Sequence, residues 1–88
     1  MIPMDNNHPT GRQLAAARTL IGLSQATVAE AARVSVPTLK RMEASEGPAP
    51  GMANNVDAVR RALEAQGVQF LEGGQASAGP GVALKATE

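Results

Sequence analysis

Apolar residues recur between residues 10 and 21 at the spacing of an amphipathic helix. Four positions share one face by the i, i+3, i+4, i+7 rule: Leu14, Ala17, Arg18 and Ile21. Thr10 precedes this segment as a candidate N-cap, and Gly22 follows it as a residue that ends a helix. The pattern therefore predicts a first helix that begins after Thr10 and runs to about Ile21.

Two shorter helices are predicted to follow, separated by a tight turn. Ser24 stands in capping position before a run of helix formers. Ser35 is a second candidate cap, and Pro37 falls in the first turn of the next helix, where its missing N–H group does no harm. This helix is predicted from Val36 to about Glu43. Such a pair is a helix-turn-helix, and its apolar positions must face a shared core: Val28, Ala32, Val34, Leu39 and Met42.

A loop and a fourth helix come next. Pro48 and Pro50 interrupt the helical pattern within residues 45–51. Residues 54–66 are again rich in helix formers, and Gly67 ends that helix in the left-handed conformation that glycine tolerates. The apolar face of this helix completes the predicted core: Val56, Val59, Ala62 and Leu63.

The two ends of the chain have a different pattern. Residues 68–71 and 82–85 contain β-formers and predict two short strands, with a glycine-rich linker at 73–81 between them. Residues 1–9 mix Pro, Asn and Asp without a period. The predicted organisation is a flexible N-terminal arm at 1–9, a helix-turn-helix domain at 10–66 and a C-terminal tail with short strands at 67–88.

Composition narrows the class of protein. The chain has 88 residues, no cysteine and one histidine, so one small domain is expected, without disulfides or thiolate metal sites. The N-terminus lacks the basic and apolar segments of a signal peptide, and no apolar run approaches the roughly 20 residues of a membrane span. We therefore expect a soluble, cytoplasmic protein without a membrane partner.

The net charge of zero hides an uneven distribution. Residues 10–42 carry five basic residues against one acidic residue, a net charge of +4. Residues 43–88 carry three basic residues against six acidic ones, a net charge of −3, and Asp5 adds −1. A basic helical half is the electrostatic pattern of a small nucleic-acid-binding protein, although a solvated helix face gives the same pattern.

Three stretches of this region carry a family resemblance: Gly22-Leu23-Ser24-Gln25, Val28-Ala29, and Val34-Ser35 through Arg41-Met42-Glu43. With them the chain resembles the Cro/CI-type, or XRE-type, helix-turn-helix family over about residues 11–66. The resemblance implies a mainly α fold, a four- to five-helix lambda repressor-like domain with a C-terminal β-strand or hairpin as its tail. One position departs from the family, which usually has glycine at the turn where this chain has Arg33. Either the turn differs slightly, or the charge of Arg33 is useful near phosphates.

The resemblance also implies sequence-specific binding of double-stranded DNA, with the second helix of the motif in the major groove. Arg41 would pair with guanine through a bidentate fork, while Val36 and Pro37 would pack against thymine methyl groups. Gln25 matches the family's phosphate-contacting glutamine. The full set of candidate DNA-binding residues is Gln25, Arg33, Ser35, Val36, Pro37, Thr38, Lys40, Arg41, Asn54 and Asn55. For Asn54 and Asn55, capping of the fourth helix is the alternative role.

Two further features concern the scaffold and the assembly. The resemblance implies that Arg18 pairs with Glu43 and holds the first helix against the third. Because one copy has few basic residues, we expect a homodimer on a two-fold operator. The tail would form the dimer surface by pairing with the other copy or by folding back on helix four, and a disordered tail is the remaining alternative. Its candidate residues are Val68, Phe70, Leu71, Val82 and Leu84.

The predicted function is a nucleoid-associated transcriptional regulator, and repression is the family's commoner mode. The alternative is an antitoxin or adaptor of the same fold that binds a protein partner, such as a toxin, and regulates its own operon. An enzyme is not expected, because His8 stands alone and the carboxylates are scattered. For the same reason no metal or other cofactor is expected, and the glycines at 73–81 do not form a phosphate loop.

Overall fold

The computed structural model describes residues 9–71 and 79–85. Within these residues, four α-helices precede a two-stranded antiparallel hairpin. The elements are α1 (Gly11–Leu20), α2 (Gln25–Ala32), α3 (Val36–Glu43), α4 (Ala53–Glu64), β1 (Val68–Leu71) and β2 (Gly81–Leu84). The predicted mainly α fold with a hairpin tail is therefore confirmed. The predicted arm lies outside the described residues except for Pro9, which is buried and accepts a hydrogen bond from the Ala49 N–H group at 3.0 Å.

The first three helices begin at the predicted capping residues. The Thr10 hydroxyl accepts a bond from the Gln13 N–H group at 3.0 Å, while the Gln13 side chain accepts one from the Thr10 N–H group at 2.8 Å. This reciprocal pair is a capping box. The Ser24 and Ser35 side chains each accept a bond from the N–H group three residues later, at 3.1 Å. These local bonds set where each helix starts.

Helix α4 differs from its prediction at both ends. It begins at Ala53 after Met52, and among the described residues no side chain caps it. Asn54 and Asn55 lie inside the first turn, so their predicted capping role is wrong. The chain turns before these residues at Gly51, whose φ of +114° favours glycine, and helical geometry has already started when the asparagines are reached. The helix ends at Glu64, two residues before its predicted end.

All four helices and the first strand share one core. Its largest fully buried side chains are Leu14, Val28, Leu39, Met42, Val56, Val59, Leu63 and Val68. Ile21 and Val34 pack against this cluster from partly buried positions. The predicted apolar faces of the helices therefore meet in one core. Val68 of β1, which was predicted to belong to the tail, is part of that core as well.

The tail folds back onto its own chain as a hairpin. Val68 pairs with Leu84 and Leu71 with Gly81, and the hairpin contacts both α4 and α1. Of the predicted alternatives, folding back on helix four is therefore the one observed. Val68 has no exposed surface, so its predicted place in a dimer surface is wrong. A two-stranded sheet must bury one face to be stable, and Val68 lies on that face.

A buried glutamine links α1 to the end of the hairpin where Leu71 pairs with Gly81. The Gln13 side-chain nitrogen donates to the carbonyl oxygens of Leu71 and Gly81, each at 3.0 Å. Both N–H donors of the Gln13 amide are thus used, and its oxygen accepts the bond from the Thr10 N–H group. Gln13 is not among the residues predicted from the sequence, although the spacing of Thr10 and Gln13 is the signature of a capping box.

Candidate nucleic-acid interface

The geometry of the turn between α2 and α3 answers whether this turn differs from one that has glycine in place of Arg33. Arg33 adopts φ 60° and ψ 42°, the left-handed conformation that glycine usually supplies. The Val34 N–H group bonds to the Ala29 carbonyl at 3.0 Å and the Arg33 N–H group to the Glu30 carbonyl at 3.2 Å. These two bonds form a Schellman motif, the standard end of a helix. The turn therefore keeps the geometry expected of glycine, and an exposed arginine adopts it.

We expect Arg33→Gly to raise the free energy of unfolding by about 0.5–1 kcal/mol. Glycine relieves the left-handed conformation, which costs about 1–2 kcal/mol, and part of this gain is lost to a more flexible unfolded chain. Arg33→Ala is the matched control, because alanine keeps the strain and removes the same charge. Urea denaturation of both variants measures the difference. Equal stability of the two variants would show that Arg33 is unstrained.

Helix α3 presents its candidate DNA-contacting residues on the side away from the core. Leu39 and Met42 are fully buried on the other side. Among the candidates, Val36 and Thr38 are half-buried, and four are exposed: Ser35, Pro37, Lys40 and Arg41. Val36 is half-buried and packs against the core, so it offers less of its side chain than predicted.

A buried ion pair holds α3 against α1. The Arg18 Nε and Nη2 groups donate to the two oxygens of Glu43 at 2.8 and 3.0 Å, and Nη1 donates to the Leu23 carbonyl at 3.0 Å. The hydrogen bond to Glu43 raises the pKa of Arg18 above its usual value. Glu43 is 8% exposed, so this bidentate pair is largely removed from water. The structure thus contains the pair that the resemblance implies.

Gln25 makes a contact that the sequence analysis did not foresee. Its side-chain nitrogen donates to a Glu43 oxygen at 3.0 Å. The last residue of α3 therefore holds the first residue of α2, and one N–H group of the Gln25 amide is already bonded within the protein. Its contact with phosphate stays a prediction that relies on its remaining N–H group.

The basic residues of α4 are neutralised within that helix. Arg60 bonds to Asp57 and to Glu64, and the Arg61 Nε group lies 2.8 Å from Asp57. The hydrogen bond from Arg60 lowers the pKa of Asp57 below its usual value. Burial lowers the pKa of Arg60, but its hydrogen bonds and ion pairs with Asp57 and Glu64 together raise that pKa above its usual value. Both arginines of α4 therefore have a carboxylate partner on their own helix.

The basic side chains outside ion pairs are therefore concentrated on the motif. Four of the eight pair with a carboxylate: Arg12, Arg18, Arg60 and Arg61. Within the part of the chain that the structure describes, the other four are Arg33, Lys40, Arg41 and Lys85. Three of these four lie on the turn and on α3. The side chains of Asn54 and Asn55 are at the start of α4, in a separate element.

Other kinds of site are not seen in residues 9–71 and 79–85. No group of three or more His, Asp or Glu side chains there is arranged to hold a metal ion. The helices in those ranges are also too short or too polar to cross a membrane. His8 lies outside the described residues.

Comparison with known proteins agrees with this geometry. A family described as "Helix-turn-helix domain" matches residues 10–78, which include all four helices and β1. No curated protein matches the chain. A domain of this kind indicates a DNA-binding regulator and is typically non-enzymatic. The chain belongs to the helix-turn-helix domain family, of the Cro/CI-like kind.

Proposed function

We propose that this protein is a sequence-specific transcriptional regulator that represses by binding a palindromic operator as a homodimer. The observation that carries the proposal is the concentration of basic side chains outside ion pairs, Arg33, Lys40 and Arg41, on the turn and α3. Phosphate neutralisation by such side chains supplies most of the affinity of DNA-binding proteins. This proposal also locates the protein with the nucleoid in the cytoplasm.

In the proposed complex, α3 lies in the major groove and its outward residues face base edges. Arg41 pairs with the O6 and N7 atoms of a guanine, and Pro37 and the exposed part of Val36 contact thymine methyl groups. Ser35, Lys40 and Thr38 bind phosphates or bases. Phosphates on either side are bound by the remaining residues of the proposed interface: Gln25, Arg33, Asn54 and Asn55.

We expect Arg41→Ala to lower the affinity for a specific site by about 5- to 150-fold, the value of one bidentate base contact. Sites are first selected from random DNA with the wild-type protein, and binding is then measured by fluorescence anisotropy at two salt concentrations. Arg61→Ala is the control, since Arg61 is also exposed but pairs with Asp57 on α4. Wild-type binding that is equal on all sequences would refute specific regulation.

The hairpin supports the homodimer part of the proposal. Leu84 is 53% exposed, and Phe70, Leu71 and Val82 are partly buried. Val82 also lines an open groove with Leu20, which is 46% exposed. Two copies that meet on this side would cover apolar surface and double the number of phosphate contacts per complex.

Light scattering tests this surface with a Leu84→Glu variant, which we expect to be monomeric. Met52→Glu is the control, because Met52 is a 67% exposed apolar residue at the start of α4. A substitution suits this purpose better than removal of the tail, which would take Val68 out of the core. A dimer that persists in Leu84→Glu would contradict the proposed surface.

The same exposed apolar residues favour one alternative. An antitoxin or adaptor would use Leu20 and Leu84 to bind a protein partner, such as a toxin, while α3 binds the operator. Light scattering separates the two cases, because a wild-type protein that is monomeric at high concentration leaves this surface for another partner.

A further inference from the structure

A row of polar side chains runs along the outer face of α3. The Ser35 hydroxyl donates to Thr38 Oγ1 at 2.8 Å, and Ser35 Oγ accepts the Thr38 N–H group at 3.1 Å. The Arg41 Nη2 group then donates to the same Thr38 Oγ1 at 3.2 Å. The capping serine and the arginine of the last turn are thus joined through one threonine hydroxyl.

The bonding capacity of that hydroxyl determines what this row presents to DNA. A threonine hydroxyl has two acceptor positions and one donor. Ser35 and Arg41 occupy both acceptor positions of Thr38. The Thr38 proton is left to donate outward, as are four of the five N–H groups of Arg41. The Thr38 hydroxyl and the Arg41 guanidinium therefore have only donors left to offer, and guanine is the base whose major-groove edge presents two acceptors, N7 and O6.

A second serine–threonine pair, at the start of α2, shows that the bond to Arg41 is what distinguishes α3. Ser24 and Thr27 have the same cap, with hydroxyl oxygens 3.0 Å apart. Three residues after Thr27 the chain has Glu30, whereas three residues after Thr38 it has Arg41. The cap therefore forms without an arginine, and the bond to Arg41 is an addition found on α3.

We infer that Thr38 is a positioning residue for Arg41 and that this pair selects a guanine. Arg41 is exposed, and a free arginine side chain loses rotamer freedom when it binds a base. Thr38 reduces that loss by holding the guanidinium before DNA arrives, because preorganisation lowers the entropic cost of binding. The inference rests on the proposed function, and it assigns to Thr38 a role through Arg41 in addition to any contact of its own.

The test measures discrimination between bases with the full chain. Sites selected by the wild-type protein are compared with copies in which one G·C pair is replaced by an A·T pair, at the position where Arg41→Ala weakens discrimination most. We expect Thr38→Val to lower the guanine-to-adenine affinity ratio by about two- to tenfold, the effect of freeing one long side chain. Thr38→Ser keeps the hydroxyl and should restore the ratio, and Thr27→Val, the matched control, should leave it within about twofold.

A double-mutant cycle shows whether Thr38 acts through Arg41. In the Arg41→Ala background, Thr38→Val should leave the ratio unchanged. NMR relaxation without DNA provides an independent test. The order parameter of the Arg41 Nε–H group should fall in Thr38→Val and stay at its wild-type value in Thr27→Val. This signal is assigned from its absence in Arg41→Lys.

The possible failures are distinguishable. If the wild-type protein prefers no sequence, the proposed function fails and the inference fails with it. If Arg41 reads a guanine but Thr38→Val keeps the full ratio, the inference alone is overturned. It is also overturned if Thr38→Val lowers the ratio equally in the presence and absence of Arg41, since Thr38 would then contact the base by itself.

Discussion

Arg18→Met is expected to lower the free energy of unfolding by about 3–5 kcal/mol, the usual result of removing one partner of a buried ion pair. Glu43 is 8% exposed and would be left, among the described residues, with the Gln25 amide as its remaining side-chain partner. The Leu23 carbonyl would lose its donor as well. Because small domains are stable by only about 5–15 kcal/mol, this single change should bring the protein close to unfolding.

An exposed ion pair made by another arginine of α1 provides the control. Arg12 and Glu46 are 66% and 85% exposed, with a separation of 3.4 Å, so Arg12→Met should cost at most about 1 kcal/mol. Urea denaturation, followed by circular dichroism, measures both variants. Arg18→Met/Glu43→Leu should recover much of the loss, because it leaves no buried charge without a partner. A loss below about 1 kcal/mol in Arg18→Met would contradict the burial of this pair.

Gly11→Ala is expected to lower the free energy of unfolding by about 2–3 kcal/mol, as overpacking does in a tight interior. A Cβ atom on Gly11 would lie 2.0 Å from the Met42 carbonyl oxygen and 2.6 Å from that of Ser45. Both contacts are with backbone atoms, so α1 must move away from the end of α3. The gain in helix propensity of about 1 kcal/mol from glycine to alanine is too small to offset this displacement.

Gly47→Ala is the matched control for this effect. Gly47 accepts a bond from the Gly11 N–H group at 3.1 Å, yet a Cβ atom at Gly47 would meet nothing within 4 Å. The free energy of unfolding of Gly47→Ala should stay within about 0.5 kcal/mol of the wild-type value. Thermal and urea unfolding of the two variants checks the prediction, and a Gly11→Ala variant as stable as Gly47→Ala would disprove the close approach.

These two predictions concern the same junction in the molecule. Glu43 pairs with Arg18, and its neighbour Met42 has the carbonyl group that approaches Gly11. The junction holds the end of α3 against α1, and α3 carries Arg41. Damage there should therefore weaken specific DNA binding through the orientation of α3, even though neither residue is proposed to contact DNA.

Local signals explain why much of the fold could be predicted from the sequence. Thr10, Ser24 and Ser35 each bond to an N–H group three residues away, so each helix start depends on a short segment alone. Helical spacing likewise identifies the faces that carry Leu14 and Leu39, because a buried stripe is a property of one helix. The strand Val68–Leu71 was predicted in full from its β-formers.

Predictions were wrong where two distant segments meet. Val68 pairs with Leu84 and faces the core, and spacing along the chain does not reveal which side of a four-residue strand is covered. The capping prediction for Asn54 and Asn55 was wrong because Gly51 turns the chain earlier. The bond between Gln25 and Glu43 was not predicted either, because Glu43 lies eighteen residues further along the chain.

By itself, the sequence determined the helix starts, the helix-turn-helix and the uneven charge, since these depend on neighbours within a few positions. Only the tertiary structure decided that Gln13 bonds to Leu71 and Gly81, which are 58 and 68 residues away, and that Gly11 lies against the end of α3. It also decided which basic side chains remain outside ion pairs, because pairs such as Arg18–Glu43 form only when helices cross. Such contacts depend on which faces pack together, and this is determined by the close packing of the whole core rather than by any one segment.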